Sequence, residues 1–207
     1  MSDQKPISLP AYIYYSLAAA WKLVQANPRS MDYFDLSSDG FWKSFWAIAL
    51  IIPIFAIKLI GDSNQGILQP YLSMAIYVIT ALPVTAIVMH YFTKWMNIGE
   101  HYASMVIAYN WLNALTVNIV MIASMILLQL FPEAQMVGFI NIILSFYFKV
   151  YVVWFMFKVA LQISGWLAIG VMVFESLFNG VYQIMLMRFI EPDMFAALMQ
   201  QISNPPA

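Results

Sequence analysis

Lys149 and Glu175 are ionisable residues set deep inside long apolar stretches of this 207-residue chain. Such groups are costly in an apolar medium; where they persist they pair with each other or mark a route for protons or substrates. Asn141, Ser145 and Lys149 recur every four residues, as do Glu175, Asn179 and Gln183, so on helices each set forms a stripe along one face. Counted from the short Ser164-Gly165 break, Asn179 lies level with Lys149 and Gln183 level with Ser145. Glu175 is offset from Lys149 by about 6 Å along the helix axis, a distance a lysine stem covers. The spacing predicts a Lys149–Glu175 ion pair or shared hydrogen-bond network inside a polar ladder that also holds Ser145, Asn179 and Gln183. Two readings of that ladder stand: a lock on helix register, and a proton or substrate pathway in which Glu175 titrates.

Other chemistry is sparse. His90 and His101 fall near one end of consecutive spans, with no carboxylate and histidine cluster to complete a metal or haem site, and read as interfacial histidines. Asn110, Asn113 and Asn118 read as groups that bond between helices. The chain carries no H-E-x-x-H helix, serine elbow, P-loop or dinucleotide fingerprint. With no cysteine, it has no thiolate chemistry, disulfide or Cys-ligated cluster. Neither an enzyme activity nor a cofactor is expected.

Composition sets the frame for these residues. Hydrophobic residues make up 63% of the chain and charged ones 9%, far from the balance of a soluble domain. The net charge of −1 is scattered, which removes the electrostatic footprint that nucleic-acid binding requires. The lipid bilayer is the expected surrounding, with another protein or a second copy as partner.

A helix needs about 20 mostly apolar residues to cross the hydrocarbon layer, and long unalternating runs favour helices over barrel strands. Five runs qualify, at 41–60, 70–92, 102–131, 137–163 and 166–189. The expected fold is an all-α polytopic membrane bundle: a segment 1–40, a five-helix transmembrane domain 41–189 and a short tail 190–207. The Ser164-Gly165 turn makes spans four and five an antiparallel hairpin. Pro53 and Pro83 fall inside spans one and two as kink positions, and Trp42, Trp46, Trp95 and Trp166 near span ends fit interfacial belts. The first thirty residues lack the pattern of a cleavable secretion signal, and no lipidation motif is expected.

Basic flanks orient the bundle. An amino terminus in the cytoplasm puts Lys5, Lys22, Arg29, Lys43, Lys94 and Lys158 on that side, with Lys58 and Arg188 opposite. Ahead of span one, residues 11–25 place Ile13, Leu17, Trp21 and Val24 on one helical face, predicting an amphipathic interfacial helix. Asn27-Pro28-Arg29 ends it, and the connector to span one carries Asp32, Asp35 and Asp39, which either solvate a loop or form a docking surface for a partner.

Three short motifs add a resemblance. Asp35-Leu36 with Gly40-Phe41-Trp42 opens span one, Glu100-His101-Tyr102 leads to Ile107-Ala108-Tyr109 in span three, and Leu161 to Ala168 forms the last tight turn. In these and in its span count the chain resembles the YIP family, five-span membrane proteins named for interaction with Ypt/Rab GTPases, and most nearly its bacterial branch. The resemblance implies a cytoplasmic amino terminus and a non-enzymatic scaffold or adaptor role. A small transporter or channel component built on the Lys149/Glu175 network is the alternative.

Overall fold

The computed structural model describes residues 8–64, 71–131 and 134–203; expectations resting on Lys5, on Gln65 to Pro70, on Pro132-Glu133 or on the last four residues lie outside them. No strand occurs among the described residues, as expected where the backbone must satisfy its own hydrogen bonds in lipid. Five helices are long and apolar enough to cross a membrane: Ser38–Gly61, Tyr71–Trp95, Gly99–Leu130, Met136–Ala160 and Gly165–Ile190. No end differs from its expected position by more than three residues, so run length and composition decided the spans. The chain is an integral membrane protein with an all-α bundle.

Span one starts with a short helix, Ser38–Lys43, whose first turn is capped by the Ser37 hydroxyl accepting from the Gly40 N–H at 3.1 Å. A 3-10 turn, Ser44–Trp46, joins it to the helix Ala47–Asn64. Pro53 and Pro83 both sit inside continuous helices. Between spans four and five the chain reverses within Leu161 to Ser164, with Gln162 at a left-handed φ of 55°. The Ser164 hydroxyl caps span five through the Leu167 N–H at 3.3 Å, and the Trp154 indole donates to the Gly165 carbonyl at 2.9 Å. The tight hairpin is therefore formed.

Span three is the hub of the bundle. It packs against the amino-terminal helix Leu9–Val24, span one and span four, while span two packs mainly on span five. Met105 to Leu112 are all buried, Trp111 completely. The largest fully buried side chains, among them Trp111, Phe157, Leu23, Met89 and Met105, lie in the half of the bundle next to the amino-terminal helix. Apolar burial gives little net gain between helices in lipid, so close fit and hydrogen bonds hold this half together. Asn110 donates to Ser44 at 2.8 Å, and Asn118 donates to the Leu50 carbonyl at 3.2 Å.

The amino-terminal helix forms where expected, but on a different face. It buries Tyr12, Ser16, Ala19, Ala20, Leu23 and Val24, leaves Ile13 and Leu17 half-buried, and turns Trp21 outward. Small residues at 16, 19 and 20 let it approach span three closely, a fit that outweighs the larger apolar residues of the expected face. Tyr12 donates to the Gly40 carbonyl at 2.8 Å and packs edge-on against Trp111, and the Tyr147 hydroxyl donates to the Val24 carbonyl at 2.9 Å. Burial raises the Tyr12 phenol above its ordinary pKa, so it keeps the proton it donates. A Cβ at Gly40 would collide with the Asp35 carbonyl oxygen, which makes glycine necessary there.

Two further features depart from expectation. Tyr147–Val152, which contains Lys149, is a π-helix between Ala134–Phe146 and Val153–Ala160. The expected tail contains a helix, Pro192–Ser203, opened by a proline in its first turn.

Candidate functional site

Glu175 carries the most elaborate polar site among the described residues. It lies on span five, 8% exposed. The Tyr109 hydroxyl from span three donates to Oε1 at 2.5 Å, and Asn179 Nδ2, one turn along span five, donates to the same oxygen at 2.8 Å. Ser176 Oγ donates to Oε2 at 3.3 Å. Asn179 Oδ1 in turn accepts from Tyr77 at 3.2 Å and from Thr85 at 3.1 Å, both on span two. The network thus ties spans two, three and five around one buried carboxyl group.

Lys149 is not its partner. Among the described residues no ion pair joins the two; Lys149 is exposed and within coulombic range of Glu175 without touching it. Nor does the ladder of facing stripes assemble. Asn141 accepts from Ser124 of span three at 2.8 Å, Ser145 is half-buried, and Gln183 is exposed. The reason is local geometry. A π-turn holds an extra residue, so Lys149, inside Tyr147–Val152, no longer falls on the face that Asn141 and Ser145 share in the regular helix before it. The first part of span four leans on span three instead, and only its last turns meet span five closely.

Sequence spacing therefore picked out Glu175 and Asn179 but missed Tyr109, Tyr77 and Thr85. Hydroxyls inside apolar runs rarely stand out, since tyrosine and threonine are common in membrane helices. The one hint was Ala108-Tyr109, noticed for its resemblance to a family motif rather than for chemistry.

The polar chain continues along spans two and five. Thr80 and Tyr182 share a 2.7 Å hydrogen bond one turn beyond Asn179. At the end of the seam, Glu191 accepts from the Leu72 and Ser73 N–H groups at 3.2 and 3.1 Å and from the Ser73 hydroxyl at 2.5 Å. Partial burial pushes the Glu191 carboxyl up, but its bonds to the Ser73 side chain and to the Ser73 and Leu72 backbone outweigh that and hold it below the usual carboxylate range. On the other side of Glu175 the seam is aromatic: Phe92 and Phe174 stack at 3.8 Å, and Tyr109 stacks on Phe157 at 6.2 Å.

The acidic connector is displayed rather than buried. Asp32, Asp35 and Asp39 are all exposed. Asp35 Oδ1 accepts from the Ser37 N–H at 3.1 Å, and Asp39 forms an ion pair with Lys43. Aromatic and cationic groups gather beside them: Lys22 Nζ sits 4.4 Å from the centre of the outward-facing Tyr33 ring. His90 packs edge-on against Tyr102 at 5.1 Å, and the described residues hold no group of three His, Cys, Asp or Glu that could bind a metal. Lys158 lies over Trp154 at 5.6 Å.

Compared with known proteins, the chain matches no family model, no curated protein and no solved structure.

Proposed function

We propose that this chain is a non-enzymatic membrane scaffold or adaptor, which presents its amino-terminal helix and acidic connector on one face of the bundle to another protein. The observation that carries this reading is the anchoring of residues 8–43. Tyr12 bonds Gly40 and packs on Trp111, and Lys22 and Lys43 brace the connector, so it is a built surface rather than a loose tail. In this reading the face is cytoplasmic, because Lys22, Arg29, Lys43, Lys94 and Lys158 belong to it, and the host is a bacterial inner membrane.

Deleting the segment is a poor test, since Tyr12 and Leu23 belong to the core. Asp32 is the better probe: it is exposed and outside both the Asp35 turn and the Asp39 ion pair. A photo-crosslinking residue at Tyr33 in native membranes should yield an adduct with a second protein, and Asp32→Lys should remove it without lowering abundance. Adducts only with the chain itself would refute the adaptor reading.

A second reading, a small transporter or channel component, is favoured by the Glu175 network, in which a buried carboxyl group is bonded from spans three and five, with span two joined through Asn179, and forms no ion pair among the described residues. Purified protein in liposomes should then carry a cation flux that Glu175→Gln abolishes and Lys149→Met leaves largely intact. No flux in the unmodified protein would end this reading.

A further inference from the structure

The polar groups around Glu175 are distributed one-sidedly. From Glu175 toward the face that carries Glu191, the seam between spans two and five presents Asn179 and Thr85, then Thr80 and Tyr182, then Ser73 and Glu191 itself. Tyr182 lies about one helical turn beyond Asn179 and Thr80 about one and a half turns beyond Thr85, gaps of about 5–8 Å, whereas Ser73 and Glu191 lie about 10–14 Å farther out, with Tyr77 between them on span two. Asn179, Tyr77, Thr80 and Tyr182 are half-buried and Thr85 and Ser73 buried, while toward the other face Met89 on span two and Val171 on span five are fully buried apolar side chains. The Phe92–Phe174 stack stands immediately beyond Glu175 on the same seam. Polar groups thus line the seam from Glu175 toward one face and give way to apolar ones toward the other.

We propose that the seam between spans two and five is a water-filled crevice, open at the Glu191 face and closed at the amino-terminal face, and that the Glu175 carboxyl group exchanges a proton with the open side. The proton assignment deepens the transport reading and rests on it; the crevice stands by its own geometry. The wall suits a proton, because it offers hydroxyl, amide and carboxyl groups that donate and accept hydrogen bonds. The charged and titratable groups near Glu175 are Tyr77 on span two, Tyr109 on span three and Lys149 on span four. None of the three forms an ion pair with it.

The absence of cysteine makes the crevice directly testable. Single cysteines at Thr80, Tyr182 and Asn179 would be exposed to a membrane-impermeant thiosulfonate in right-side-out and in everted vesicles. Leu177, 65% exposed on the outer surface of the same helix at nearly the same depth, is the lipid-facing control, and Val171, fully buried one turn past Phe174, lies beyond the seal. All three seam positions should label from the Glu191 side alone, with Leu177→Cys and Val171→Cys unlabelled from either side. Labelling of Asn179→Cys from the amino-terminal side, or no faster than Leu177→Cys, overturns the crevice. The proton is read separately, by infrared difference spectra of the carboxyl band in proteoliposomes with pH stepped on one side. The band lost in Glu175→Gln should respond to pH at the Glu191 face. A response to the other face, or to sodium rather than pH, overturns the proton assignment, while an absent flux with an intact crevice removes the transport reading alone.

Discussion

The Tyr109 hydroxyl donates a 2.5 Å hydrogen bond to the Glu175 carboxyl group, joining span three to span five across the centre of the bundle. Both residues are buried, and Tyr109 also stacks on Phe157 of span four. One phenol therefore touches two neighbouring helices, and its ring and its hydroxyl do separable work.

Tyr109→Phe keeps the ring and removes the donor. It should lower stability in detergent by about 1–2 kcal/mol, because Glu175 stays buried with one bond fewer. Thermal unfolding of the purified protein reads this. An unchanged midpoint would mean that the bond carries no net stability.

Lys149→Met should change stability by less than about 0.5 kcal/mol, the range of an exposed residue without a specific partner. A loss as large as that of Tyr109→Phe would point to an ion pair with Glu175 after all.

Gly40→Ala should loosen the connector, since the added methyl group collides with the Asp35 carbonyl and displaces the acceptor of the Tyr12 bond. Brief trypsin treatment should cut faster after Lys22 and Arg29 in this variant than in the unmodified protein. Tyr12→Phe, which loses only the hydrogen bond, should show a smaller increase.

The Glu191 clasp should be sensitive to acid. Its carboxyl group titrates below the unfolded value of about 4.5, so the stability it contributes is present above that pH and is lost as pH falls through the lower folded value. The difference in thermal midpoint between the unmodified protein and Glu191→Gln should be constant near neutral pH and shrink below about pH 4.5. A difference that grows on acidification would contradict the clasp.

Much of the architecture was legible in the residues. The five apolar runs predicted the helices to within three residues at every end, and Ser164-Gly165 marked the hairpin turn correctly. Asn110 and Asn118 were read as bonding between helices, and both bond to span one. What failed were inferences about which faces meet. The amino-terminal helix buried its small residues and turned Trp21 outward, and among the described residues Lys149 formed no ion pair with Glu175.

The difference has a physical cause. A lipid environment forces each long apolar segment to satisfy its backbone internally, so spans, their number and their turns follow from local sequence alone. Pairing between helices depends on shape and on hydrogen bonds from residues far apart in the chain. The π-turn at Tyr147–Val152 also breaks the regular periodicity from which any face is counted. The sequence by itself determined a five-helix membrane protein with a carboxyl group buried in span five. Only the tertiary structure decided that Tyr109, Asn179, Tyr77 and Thr85, rather than Lys149, surround that group.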